Sequence, residues 1–144
     1  MNQIYCGKKI NILSKKIKWG FDQMAEKYGV TGGQARILHF IVKNGKNYEV
    51  YQKEVEEEFN LRRSTVTGIL QLIEEKDLIT RTISEKDGRV KKIKLTKKGI
   101  ELQKKISVEI NNYEKILIDG IKKEDLEVLS KVLDKIMNNI ELNF

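Results

Sequence analysis

Residues 52–95 constrain the fold most, because two short helical patterns there run directly into a strand–turn–strand pattern. Residues 52–59 predict a short helix with Val55 and Phe59 inward. Asn60 suits a turn after it, since asparagine tolerates left-handed backbone. Between about residues 62 and 77 apolar positions recur at helical spacing: Val66, Ile69, Leu70 and Ile73. Two short helices joined by a tight turn, the second polar on its outer face, predict a helix-turn-helix.

A β-hairpin is predicted immediately after the second of these helices. Residues 78–84 and 90–95 alternate apolar and polar side chains, as half-buried strands do. The segment between them contains Asp87-Gly88, a strong signal for a tight hairpin turn. A hairpin in this position is a wing, so the sequence predicts a winged helix-turn-helix.

The rest of the chain predicts four more helices and one more short strand. Thr31 and Gln34 fit a capping box that starts a helix ending near Gly45, and residues 48–51 predict a brief strand. Long helices are expected over residues 2–28, 97–119 and 123–142. The fold class is therefore mainly α, with six helices and a small β-wing. The first helix is apolar on more than one face, which indicates more than one partner and favours a second subunit.

The basic charge of the chain is concentrated around the predicted hairpin. The formal net charge is +7, and residues 81–98 hold eight lysines and arginines against two acidic residues. A charge run is often only a solvated face, and a Lys-rich, Pro-free sequence can reflect genome composition. Its location beside a predicted wing instead favours a polyanionic partner such as nucleic acid.

The second helix of the predicted helix-turn-helix, about residues 62–77 and called the reading helix below, has side chains that suit the DNA major groove. Its two arginines can fork onto guanine or phosphate, its hydroxyls can reach phosphates or thymine methyl groups, and its glycine permits close approach. The residues assigned to DNA binding here are Arg62, Arg63, Ser64, Thr65, Thr67, Gly68 and Gln71. For Ser64 and Thr65, N-capping of the helix is an equally good interpretation. Thr67 has no obvious structural need.

The wing supplies the remaining predicted DNA contacts. Arg89 lies at the hairpin tip, where Asp87 can hold its guanidinium in one orientation. An oriented arginine on a narrow projection suits the minor groove. Lys91 and Lys92 can follow the phosphate backbone, and Arg81 belongs to the same basic stretch.

Several functional classes are disfavoured by what the sequence contains. One cysteine, Cys6, permits no intrachain disulfide, and one histidine, His39, makes a zinc site improbable. No nucleophile–base pairing or Gly-rich phosphate loop supports an enzyme, and no cofactor is expected. Without a long apolar run or a basic amphipathic helix with aromatic anchors, neither a membrane span nor membrane-surface binding is expected. The chain is expected to be cytoplasmic.

The sequence resembles the MarR family of bacterial transcription regulators. The resemblance spans essentially the whole chain and is carried by residues 52–56, 59–67, 72–74, 78–79, 87–89 and 95–99, together with Leu70 and Arg81. It implies a homodimer in which residues 1–30 and 97–144 dimerise and residues 31–96 bind double-stranded DNA, within one domain of residues 1–144. It further implies repression at a pseudo-palindromic operator with half-sites about 10 bp apart. A small molecule or an oxidant would relieve that repression.

Two alternatives remain open beside this resemblance. Cys6 lies in the first helix near Lys8 and Lys9, which could favour a reactive thiolate, but an inert cysteine is the default. His39 is expected to be a core-edge or surface histidine and not a ligand. The alternative function is a winged-helix module that binds a protein partner without binding DNA, against which the basic wing and Arg62-Arg63 argue.

Overall fold

The fold is known from a computed structural model, which describes residues 3–83 and 91–144. The described residues form six α-helices and three β-strands, as the fold class predicts. In chain order they are α1 (Cys6–Glu26), α2 (Gly32–Asn44), β1 (Glu49–Tyr51), α3 (Gln52–Phe59), α4 (Arg63–Glu75), β2 (Ile79–Ile83), β3 (Lys91–Leu95), α5 (Lys97–Leu117) and α6 (Lys123–Asn143).

Local chemistry sets the helix boundaries. The predicted capping box of α2 is present: Thr31 Oγ1 accepts from the Gln34 amide at 3.1 Å, and Gln34 Oε1 accepts from the Thr31 amide at 3.2 Å. Helix α1 is shorter than the predicted residues 2–28. Residues 3–5 are not helical, and at the other end the chain leaves the helix through a turn that ends at Gly29, with φ of +73°.

The three strands form one antiparallel sheet in the order β1-β3-β2. The sequence predicts the pairing of β2 with β3 but not that of the brief strand β1 with β3. Ile93 of β3 is opposite Val50 on one side and Arg81 on the other. Its side chain is fully buried, so the central strand connects the sheet to the hydrophobic core.

The hydrophobic core lies between α2, α4 and the sheet. The large side chains of these elements that are fully buried include Ile37, Leu38, Ile41, Leu70, Ile73, Leu78, Ile79 and Ile93. Helix α1 adds Phe21 and Ala25, and α5 adds Ile106 and Ile110. One face of α4 thus packs against the core, and its opposite face is exposed.

A close contact joins the start of α5 to the turn between α4 and β2. Thr96 Oγ1 donates to the Asp77 carbonyl at 2.7 Å and accepts from the Gly99 amide at 3.0 Å. The Thr96 amide donates to the Leu78 carbonyl at 3.0 Å. A Cβ on Gly99 would lie inside van der Waals contact with that same carbonyl oxygen. These contacts explain why threonine and glycine stand at this spacing after the last strand.

The chain divides into two compact units, Met1–Ile110 and Asn111–Phe144. The second unit contains α6, which has no buried residue. Its apolar side chains are instead exposed: Val128, Leu129, Val132, Leu133, Met137, Ile140 and Leu142. Despite this apolar surface, none of the helices in the described part of the chain is both long enough and apolar enough to span a membrane.

Candidate nucleic-acid interface

The turn between α3 and α4 fixes where the second helix begins. Asn60 adopts the predicted left-handed conformation, with φ of 50° and ψ of 49°. Arg62 is the N-cap of α4 in extended conformation, and its side chain makes no capping bond. Ser64 and Thr65 lie within the first turn, so the N-capping interpretation of these two residues is wrong. They and both arginines are exposed beside the positive end of the helix dipole.

Gly68 lies at the centre of the outer face of α4. It is two residues from Val66 and two from Leu70, both fully buried. At about 100° per residue this places Gly68 almost opposite the buried stripe. No other part of the described chain comes within 4 Å of a Cβ placed there. The exposed residues Ser64 and Gln71 flank this bare stretch of backbone.

Thr67 lies at the edge of this face, where the helix meets α3. It is one residue after Val66 and three before Leu70, so it borders the buried stripe and is half-buried. Its Oγ1 accepts a hydrogen bond from Nε2 of Gln52, the first residue of α3, at 2.9 Å. Thr67 therefore has a structural partner, which the sequence interpretation missed. Leu72, near the end of α4, is 50% exposed.

Arg81 braces the base of the wing against α4. Its Nη2 lies 3.0 Å from Glu74 Oε1, and its side chain is only 21% exposed. The hydrogen bond from Arg81 lowers the pKa of the Glu74 carboxyl, which keeps the pair ionised. Direct DNA contact by Arg81 remains a prediction, and the observed contact is with the reading helix itself.

The lysines of β3 differ in their side-chain contacts. Lys92 Nζ lies 3.6 Å from Glu49 Oε1 and 5.6 Å from the centre of the Tyr51 ring, so both of its contacts are to β1. Lys91 is half-buried beside it in sequence and pairs in register with Ile83. Asp87 and Arg89, the predicted minor-groove pair, lie outside the described residues. The DNA roles of all four remain predictions.

Contacts at the far end of α4 fix its position in the domain. Lys76 Nζ donates to Gln34 Oε1 at 2.7 Å, and Lys98 Nζ donates to the Lys76 carbonyl at 3.1 Å. Gln34 is the buried capping-box residue of α2. The carboxyl end of the helix is thus tied to two other helices, while its amino end and outer face are exposed.

The isolated histidine and cysteine take no part in this face. His39 Nδ1 lies 2.8 Å from Ser107 Oγ, and burial lowers the pKa of the imidazole. His39 is therefore a core-edge residue. Cys6 is exposed at the first residue of α1, and oxidant sensing by it remains a prediction. Over residues 3–83 and 91–144, no group of three or more His, Cys, Asp or Glu side chains could hold a metal ion.

Comparison with known proteins identifies the family. Residues 28–90 match the family model described as the MarR family. The crystal structure of the transcription regulator MarR from Oenococcus oeni PSU-1 is 34% identical in sequence. The match covers 92% of this chain and 98% of that one, with a TM-score of 0.78. The chain belongs to the MarR family. The resemblance carried by residues 52–99 is thereby confirmed, as is the predicted winged helix-turn-helix.

More distant relatives share the fold of this MarR-family protein. MepR of S. aureus, in a complex with DNA, superposes with a TM-score of 0.84 at 23% identity, covering 96% of this chain and 99% of that one. The organohalide-sensing regulator RdhR-CbdbA1625, bound to 2,4-dichlorophenol, gives 0.80 at 21% identity, covering 93% and 78%. The 34% identical MarR protein of Oenococcus oeni is a transcription regulator, which confirms the prediction that this chain is not an enzyme.

Proposed function

We propose that this MarR-family protein is a transcriptional regulator that binds double-stranded DNA with α4 in the major groove and the wing in the minor groove. The observation that carries the proposal is the outer face of α4, where no side chain covers the backbone at Gly68. Ser64 and Gln71 flank this position, and two exposed arginines lie at the amino end of the helix. A major groove about 12 Å wide admits one helix, and backbone can approach base edges most closely where no side chain intervenes. The DNA complex of MepR supports the same use of the fold.

The protein acts as a homodimer in this proposal. Exposed apolar side chains on α1 and α6 include Ile12, Trp19, Leu129, Val132 and Ile140. Burying such a surface lowers the free energy of the protein in water, which favours association. Two copies would then hold two reading helices at one spacing and recognise a pseudo-palindromic site, with half-sites about one helical turn apart.

Repression relieved by a small molecule completes the proposal. A dimer that covers operator DNA competes with other proteins for it, and any ligand that binds better to another spacing of the two reading helices releases the DNA. The 2,4-dichlorophenol complex of RdhR-CbdbA1625 supports a ligand-responsive fold. Since the target is chromosomal DNA, we expect the protein to act in the cytoplasm.

The deciding experiment is a gel-shift titration with the DNA upstream of its own gene. We expect a discrete complex at low salt whose affinity falls steeply as salt rises, because lysines and arginines displace condensed counterions from phosphates. A scrambled duplex of the same length is the control. If a folded protein shifts neither duplex at low salt, the proposal is wrong, and the alternative of a protein-binding winged helix is favoured.

Gly68→Ala should change stability and DNA affinity in opposite directions. Nothing obstructs a Cβ at this helical position, so alanine should stabilise the fold by about 1 kcal/mol through its higher helix propensity. The added methyl group would stand between the helix backbone and the groove, and we expect operator affinity to fall about tenfold. Thermal denaturation and gel shift measure the two effects. Equal or better DNA binding by the stabilised variant would contradict the placement of this face.

Arg89→Ala should weaken operator binding by more than about tenfold while the protein stays folded, because a lost arginine–base contact costs about 1–3 kcal/mol. The prediction rests on the Asp87-Gly88-Arg89 turn in the sequence. Fluorescence anisotropy at moderate salt measures it. The control is Lys86→Ala, which removes the same charge from the same predicted turn and should cost less. Equal losses in the two variants would count against a minor-groove role for Arg89.

A further inference from the structure

Gln52 and Thr67 form a polar contact across the helix-turn-helix. Gln52 is the first residue of α3 and is 3% exposed. Its Nε2 donates to Thr67 Oγ1 at 2.9 Å, so the side-chain amide contacts α4 from the side of α3. Because Thr67 Oγ1 accepts this bond, its own hydroxyl proton is still available to another acceptor.

Keeping a glutamine at this position costs stability. Its Oε1 is buried and accepts no hydrogen bond from any described residue. A methionine would fill a similar volume without a buried polar atom lacking a partner, and such replacements are often neutral or stabilising. Packing alone therefore gives no reason for glutamine here. The contact with Thr67 does.

The contact restricts the conformation of Thr67. A threonine inside a helix divides between two side-chain rotamers, because its hydroxyl can also bond to a carbonyl one turn earlier. The bond from Gln52 favours the single rotamer in which Oγ1 faces α3. The half-buried Thr67 borders the outer face of α4, so this choice decides which of its two branches, methyl or hydroxyl, is offered to the groove.

We propose that Gln52 is a positioning residue for DNA reading: it fixes the rotamer of Thr67 and so sets the preference at one base pair of each half-site without itself contacting DNA. The inference rests on the proposed function, because it requires that α4 reads the major groove. Direct contacts of threonine with base edges, including the thymine methyl group, are the interactions that this positioning would control.

The test is a double-mutant cycle read out as base preference. The probe is a library of duplexes with a randomised core of about 20 bp, enough for two half-sites one turn apart. The full-length wild type, Gln52→Met, Thr67→Val and the double variant are each selected against it. Affinities for every single-base change in the wild-type consensus are then measured. The matched control is Gln103→Met, which removes a buried glutamine that donates to Ser107 in α5.

We expect Gln52→Met to reduce the preference at one base pair per half-site by about fivefold, within the range of a single base contact. Preferences elsewhere and affinity for random DNA should stay the same, and the melting temperature should not fall. Thr67→Val should affect the same base pair. Adding Gln52→Met to Thr67→Val should have no further effect, because Gln52 acts only through Thr67. Gln103→Met should leave every preference unchanged.

Three results would overturn the inference. The first is a uniform loss of affinity at all positions in Gln52→Met, which indicates a structural role. The second is an unchanged preference profile in a folded Gln52→Met protein. The third is a further change of preference when Gln52→Met is added to Thr67→Val. Failure of the proposed function is a different outcome, in which the wild type itself enriches no sequence from the library. If Gln52→Met does not fold, Gln52→Leu takes its place in the same cycle.

Discussion

Gly99→Ala should lower the free energy of unfolding by about 3 kcal/mol and the melting temperature by about 10 °C. The substituted position is the third residue of α5, directly above the carbonyl group of Leu78. A Cβ there would overlap with the oxygen and crowd the carbonyl carbon and Cα of the same residue. These are backbone atoms, so no change of rotamer can relieve the overlap.

The sign of this prediction is opposite to that of helix propensity. Alanine is a better helix former than glycine by about 1 kcal/mol, and the backbone of Gly99 is not left-handed. Propensity alone would therefore stabilise the variant. The overlap should outweigh it, because separating α5 from the turn before β2 would also stretch the hydrogen bonds of Thr96 to Asp77 and Leu78.

Gly7→Ala is the matched control for this substitution. Gly7 is the second residue of α1, also in a first helical turn, and nothing lies within 4 Å of a Cβ placed on it. Chemical denaturation of both variants measures the difference. We expect Gly7→Ala to be as stable as the wild type or more stable. A Gly99→Ala protein as stable as Gly7→Ala would show that α5 can shift at little cost.

The elements with periodic patterns could be predicted from the sequence, because a helix with one apolar side carries apolar residues at every third or fourth position, whatever its partner is. Helix α3 has the predicted bounds, and the capping residues Thr31 and Gln34 place the start of α2. The reading helix and the hairpin strands follow from the same reasoning. The relatives confirm the resulting fold.

The pairings between elements could not be predicted in this way. Arg81 belongs by charge to a DNA-binding stretch, yet its guanidinium contacts Glu74, seven residues earlier. Thr67 belongs by helical spacing with Arg63 and Gln71, yet Gln52 bonds to it from another helix. Side-chain spacing gives the direction of a residue on its own helix. It does not give the partner that tertiary packing brings to the same place.

Leu129→Asp should abolish dimerisation and weaken operator binding by about 100-fold or more, because a dimer gains avidity from two linked half-sites. Leu129 lies on an α6 stripe spaced by three and four residues, together with Leu126, Leu133, Ile136 and Ile140. It is 48% exposed although it is a leucine. A carboxylate within a dimer interface would lose its hydration without gaining a partner, which is a large cost for one side chain.

Lys131→Asp is the control, because it places the same side chain on the opposite face of the same helix. It changes the net charge by two units where Leu129→Asp changes it by one, so a purely electrostatic effect on DNA binding would be larger in the control. We expect the reverse order, since only Leu129 is on the apolar stripe. Analytical ultracentrifugation gives the oligomeric state and fluorescence anisotropy the affinity. A Leu129→Asp protein that remains dimeric would show that α6 is not part of the interface. If it became monomeric and still bound the operator as tightly as the wild type, one reading helix would be sufficient for recognition.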